Sequence, residues 1–170
     1  MAKLFIASAH SHLFGEEVIR FRYPGLAADI DAIATVAVNP PTPSKEKTKV
    51  GKLVYRGENF NPALKDHFRQ RGWEPQKLPY GGEVDFSKER VAMEVQFGKY
   101  SFVAYDLTKL QDLFVLDLID AGIEIMPAAS LTVKMYTGVP NFNSEVSRLQ
   151  ARGRNQPPMP LWLIGVDVRE

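Results

Sequence analysis

Cysteine is absent from the 170 residues. That excludes a disulfide framework, a thiolate zinc site and a cysteine nucleophile together. Long apolar runs are missing too: stretches such as Leu161–Val166 fall far short of the roughly 20 residues a membrane-spanning helix needs. Met1–His10 carries one lysine and a few apolar residues, but no apolar leader core or small-residue cleavage pattern follows. The expectation is a soluble intracellular protein. Neither GxxxxGK[ST] nor GxGxxG occurs, so no ATP or dinucleotide cofactor is expected. No Gly-x-Ser-x-Gly elbow supports serine hydrolase chemistry. There is no internal repeat, and the net charge is only +1, which by itself argues against a nucleic-acid partner.

What is present is ordinary globular material, 45% hydrophobic and 24% charged. Residues 1–170 read as a single domain long enough to bury about 70% of its unfolded surface around one core. The charge is segregated. Ser44–Arg56 holds Lys45, Lys47, Lys49, Lys52 and Arg56 against Glu46, a net of +4, and Arg148–Arg154 adds three arginines and no acid. The rest of the chain is therefore net −6. Such separation can build one basic face on a nearly neutral protein, which suits a phosphate backbone; solvated surface lysines are the alternative.

Strands and helices are mixed. Gly25–Val38 reads as helical up to the Asn39-Pro40 pair, and the prolines at 40, 41 and 43 begin an extended loop. Lys52–Arg56 alternates as a short strand. Asn61 and Pro62 open a helix that Gly72 stops, with Ala63, Leu64, Phe68 and Trp73 on its apolar side. Ser101–Ala121 reads as one long helix, apolar on more than one side and so either central or shared with a second subunit. Ile123–Pro127 and Leu161–Val168 look like buried strands. The fold class expected is α/β, a central mixed sheet flanked by helices.

Gly81–Phe97 reads as two strands joined by a Ser87–Arg90 turn, with Phe86 facing Val91 and Asp85 facing Ala92. Alternation then puts Val91, Met93, Val95 and Phe97 on one face, and Ala92, Glu94 and Gln96 on the other. Asp85 and Glu94 become diagonal neighbours with backbones roughly 7–8 Å apart. Two converging carboxylates suit a hard divalent cation such as Mg2+, which takes one or two carboxylates, a carbonyl and retained waters. Spacing alone leaves open that these acids are the solvent side of an amphipathic hairpin.

An acid, about nine residues, then Glu94-x-Gln96 resembles the PD-(D/E)xK nuclease core. The string Glu94-Val95-Gln96-Phe97-Gly98-Lys99-Tyr100-Ser101-Phe102 is similar to the BglII/BstYI family of type II restriction endonucleases. Collinear segments extend the likeness: Ser11-His12-Leu13, Gly51-Lys52-Leu53-Val54-Tyr55, Phe68-Arg69-Gln70-Arg71-Gly72-Trp73, Asp120–Pro127, Gly138-Val139-Pro140 and Pro160–Gly165. Val84 stands where the superfamily has proline, and Gln96 where it has lysine.

The resemblance implies a PD-(D/E)xK fold and a Mg2+-dependent endonuclease for double-stranded DNA in a prokaryotic cytoplasm, part of a restriction-modification system. Asp85 and Glu94 would hold the metal with the Val95 carbonyl, and Gln96 would orient water. The products would be 5′-phosphate and 3′-hydroxyl ends at a palindrome with a GATC core, read by a homodimer because symmetric sites suit symmetric proteins. Lys99, Tyr136, Thr137, Asn141 and Asn143 are the candidates for base contacts, and Lys45, Lys47, Lys49 and Lys52 for phosphates. Gln70 is an auxiliary polar candidate. Glu124 reads as a structural hydrogen-bonded acid or one supporting the catalytic pair, and His10-x-His12 as structural rather than zinc-binding. The rival is a DNA-binding protein on the same fold whose cleavage has decayed.

Overall fold

The structure, a computed structural model, describes Met1–Glu170. Its centre is a six-stranded sheet in the order β1-β8-β7-β6-β5-β4. The strands are β1 (Lys3–His12), β4 (Glu74–Lys77), β5 (Glu83–Lys88), β6 (Val91–Val95), β7 (Ala121–Pro127) and β8 (Leu161–Arg169). β6, β7 and β8 run parallel, while β1/β8, β5/β6 and β4/β5 pair antiparallel, so the sheet is mixed as expected. Every residue of β7 is buried, which explains its unbroken aliphatic pattern: a central strand covered on both faces has no polar side to alternate with. A two-stranded piece, β2 (Thr42–Pro43) with β3 (Leu53–Val54), stands apart. No helix is long and apolar enough to cross a membrane.

Helices cover both faces. On one, α1 (Gly15–Arg22), α2 (Pro24–Asp31) and α3 (Gly57–Arg69) pack Ile19, Ile30, Phe60, Leu64 and Phe68 against Met93, Ile123, Ile125 and Trp162. On the other, α4 (Val103–Val115) and α6 (Phe142–Arg152) pack Val103, Leu110, Leu113 and Leu149 against Ala92, Met126 and Leu163. A short α5 (Ala129–Thr132) follows β7. The result is a three-layer α/β domain.

Two helices depart from the sequence expectation. α3 starts four residues before Asn61: Asn59 accepts the Arg56 N–H at 2.6 Å, and Pro62 lies inside the helix. The Phe60–Leu64–Phe68 stripe buried on the sheet outweighs the backbone bond the proline forfeits. At Gly57 the helix passes close to β6's continuation, since a Cβ there would lie 3.3 Å from the Phe97 carbonyl oxygen. The Ser101–Ala121 helix ends at Val115. Asp117 takes a left-handed φ of 56°, its N–H bonds Phe114 and that of Leu118 bonds Leu113, closing a Schellman cap. The chain then enters β7 at Ala121. α3 closes the same way on Gly72, at φ 81°, as anticipated.

Candidate active site

The β5–β6 turn is tighter than expected. Lys88 pairs with Val91 and Phe86 with Met93, leaving only Glu89 and Arg90 in the turn, with Glu89 at φ 53°. The register thus differs by two residues from the Phe86–Val91 pairing, and an even shift keeps the β6 faces as anticipated. Continued one step, it sets Asp85 opposite Glu94 rather than diagonal to it. The regular ladder stops there. The Asp85 carboxylate takes the Val95 N–H at 2.9 Å, in the place of a backbone carbonyl. The β4–β5 register also slips between Glu74 and Gln76. This bulge sends Val84 into the α4-side core and Phe86 into the α3-side core, re-aiming Asp85 between them. In a strand a residue's N–H and C=O leave on the same edge, so the Val95 carbonyl also faces this splayed end.

Glu94 is not on a solvent face. It is 2% exposed, covered by α4. Lys109 Nζ lies 2.5 Å from Glu94 Oε1, an ion-pair contact off the line of a directed hydrogen bond, and 3.1 Å from Asp106 Oδ1. Gln96 donates from Nε2 to Asp106 Oδ2 at 2.6 Å, and its Oε1 accepts the Gly98 N–H at 2.9 Å. Each end of the Gln96 amide thus has a partner in the chain, so Gln96 holds Asp106 and keeps one further Nε2 N–H beyond that bond. Glu124 pairs in register with Glu94 on the neighbouring strand, fully buried, and neither of its oxygens has a partner. It is not the hydrogen-bonded structural acid that its sequence position suggested.

Four acids thus share one ammonium. Burial and the Asp85 charge push the Glu94 carboxyl up to about 9. Burial, with Asp106 and Glu94 beside it, drives Glu124 well above the carboxylate range, and burial raises Asp106. Burial opposes the charge on Lys109, but its contacts with Glu94 and Asp106 outweigh that and hold the ammonium above its ordinary value. An acid-rich, orphaned cluster of this kind is short of positive charge. Asp85, Glu94 and the Val95 carbonyl offer hard oxygens only, and no three His, Asp or Glu side chains close a complete cage. The donor set fits Mg2+ held by two carboxylates, a carbonyl and waters.

In front of Asp85 lies a cleft of about 280 Å³, walled by Asn61, Lys65 and Arg69 of α3 and by Glu83, Asp85, Phe86 and Val95. Gln70 is exposed and does not line it. The remaining candidates gather near the end of β6. Thr137 N–H bonds Glu46 at 2.8 Å, and the Lys49 ammonium bonds the Met135 carbonyl. Tyr136 hydroxyl donates to the Phe97 carbonyl at 3.3 Å, and Tyr100 N–H to Gly138 at 2.8 Å. The basic loop, Lys99 and the Tyr136–Thr137 loop are thereby tied together across the sequence. Lys45, Lys47, Lys52, Lys99 and Asn143 are exposed. Asn141 is not free: its Oδ1 caps α6 by accepting from Asn143 and Ser144, and its amide donates to Thr132. His12 bonds the Pro157 carbonyl at 2.8 Å, remote from the acids in sequence and in sheet order.

Sequence reasoning missed Asp106, Lys109, Lys65 and Arg69. A signal for the first two was present, as charged residues three apart interrupting the apolar stripe of α4.

The fold is that of a restriction endonuclease. The chain is similar to the crystal structure of restriction endonuclease BglII complexed with a DNA 16-mer, with a TM-score of 0.76 at 17% identity over 96% of this chain and 75% of that one. The family model described as restriction endonuclease BglII/BglIII matches residues 7–166, and the chain belongs to that family. Type II restriction enzyme BglII of Bacillus subtilis is 26% identical over 136 residues, 72% of this chain and 60% of that protein. The chain therefore matches less than two thirds of that relative's length.

Proposed function

We propose that this chain is a type II restriction endonuclease: a Mg2+-dependent enzyme that hydrolyses double-stranded DNA at a short palindrome with a GATC core, leaving 5′-phosphate and 3′-hydroxyl ends. The observation that carries this reading is the splayed end of β5 and β6. There Asp85, Glu94 and the Val95 carbonyl meet beside a cleft walled by cations. When bound, a divalent cation would supply Lewis acidity at the phosphate and a more acidic water. Asp85 and Glu94 hold that cation, the Val95 carbonyl adds a neutral oxygen, and Asp106 with Gln96 fixes the chain that follows β6. Lys109, in contact with Glu94 and Asp106, offsets part of the acid charge that remains.

Lys45, Lys47, Lys49 and Lys52 grip phosphates without reading sequence. Lys99, Tyr136, Thr137 and Asn143 are the base-reading candidates; Asn141 leaves that set because its amide is engaged. A homodimer reads the palindrome, and a bacterial cytoplasm is the setting. The test is incubation of the purified protein with long duplex DNA and Mg2+, with sequencing of fragment ends and Glu94→Ala in parallel. Discrete ends around one palindrome, lost with the variant, are expected. A folded protein that binds duplex DNA and never cuts it is instead the decayed binding module.

A further inference from the structure

Asn61, Lys65 and Arg69 lie on one face of α3 at successive four-residue steps, and all three line the cleft in front of Asp85. Four residues advance a helix by about 6 Å, so three polar groups are spaced along the cleft at a separation on the scale of one nucleotide step. The helix carrying them is held rigidly, because Phe60, Leu64 and Phe68 are fully buried in the sheet. Lys65 and Arg69 are exposed and form no ion pair, although exposed acids stand on the opposite wall at Glu83 and Asp85. Unpaired cations facing a site of acids answer a particular need. An anionic strand approaching Asp85 meets repulsion, and cations across the cleft offset it independently of any bound metal.

We propose that Asn61, Lys65 and Arg69 form a phosphate-binding ladder that seats the DNA backbone on either side of the bond to be cut. It is distinct from the basic loop at Lys45–Lys52. This rests on the nuclease reading above and deepens it. Arg69 offers a planar fork that can take two oxygens of one phosphate, and Lys65 a point charge. Asn61, at the N-terminal end of the row, offers a neutral donor beside the end of β6. The ladder carries no sequence information and serves positioning.

The experiment measures binding of sheared random-sequence duplex DNA in the absence of divalent cation, across a range of salt concentrations. Lys65→Gln and Arg69→Gln are compared with wild type, with Lys3→Gln on the distant edge strand as the control. Each ladder variant is expected to flatten the slope of log affinity against log salt by about 0.9, the loss of one phosphate contact. Arg69→Lys is expected to restore the slope, which a merely structural role would not require. In Mg2+, Lys65→Gln and Arg69→Gln are expected to slow cutting of saturating DNA while circular dichroism and metal affinity stay at wild-type values. Unchanged slopes in both variants overturn the ladder while leaving the nuclease reading intact, which is read separately from Glu94→Ala, expected to keep the full slope and lose cutting. A wild-type protein with no salt-dependent duplex binding overturns both.

Discussion

Glu94 and Glu124 sit side by side on adjacent parallel strands, beneath a helix that gives them a single ammonium. Each carboxyl is held far above its ordinary value of 4.5 by burial. A carboxyl raised in the folded state favours folding fully below about pH 4.5, and that contribution is lost as pH rises through the folded value, about 9 for Glu94. The metal-free protein is therefore expected to lose thermal stability steadily between pH 5 and about 9, read from melting temperatures in chelator. In the proposed site Mg2+ would displace a proton from Glu94, so its affinity is expected to climb over the same interval, with proton release visible by calorimetry in two buffers of different ionisation enthalpy. Glu124→Gln, neutral and nearly isosteric, is expected to flatten the stability loss at the alkaline end. A melting temperature that stays level or rises across this interval in chelator would show that these acids are ionised without metal. The convergence of Asp85 and Glu94 at one end of the hairpin was legible because strand alternation survives a register change of two. Asp106 and Lys109 were not, because nothing local says which face of α4 lands on which strand.

At the scale of the element, the same limit appears in the length of α4. Its apolar period runs on past Val115 through Leu116 and Leu118, which are exposed, and only Ile119 returns to the core. What ends the helix is one backbone dihedral at Asp117, a residue without glycine's freedom but tolerant of the left-handed region. Its side chain pairs with Arg90, yet it is almost wholly exposed, and a pair of that kind contributes little. Asp117→Gly is accordingly expected to stabilise the protein by about 0.5–1 kcal/mol, seen as a higher urea midpoint with an unchanged slope. A lower midpoint would mean that the Arg90 pair outweighs the backbone relief. The two buried strands and the Gly72 stop were readable in advance, since aliphatic density and a glycine at a helix end have few other meanings. The start of α3 was not, because Asn61-Pro62 mimics a helix entry while the buried stripe that decides the matter begins at Phe60.

Viewed as a whole molecule, the domain leaves large apolar side chains uncovered beside α4. Tyr100 is 54% exposed, Phe102 51% and Tyr105 53%, clustered where the chain enters α4. Next to them a groove between α4 and α6 is lined by Tyr100, Ser101, Ala104, Leu107, Arg148 and Arg152. Aromatic and arginine side chains are the types enriched at protein interfaces, and an exposed cluster of them calls for a partner surface. In the homodimer proposed above, a two-fold axis through this region would set two catalytic clefts on one DNA duplex, because α4 also supplies Lys109 and Asp106 to the acid cluster. Phe102→Glu puts a charge into the cluster at a position outside the Glu94, Asp106 and Lys109 contacts themselves. It is expected to convert a dimer to a monomer by sedimentation velocity, and to reduce paired-strand cutting at least tenfold, a cost of about 1.4 kcal/mol or more. Mg2+ binding, proposed to depend on one chain's Asp85 and Glu94, is expected to stay at the wild-type value. If the variant still sediments as a dimer and cuts both strands, the interface lies elsewhere; if it loses metal binding as well, the cluster is part of the fold's own packing and not a docking face.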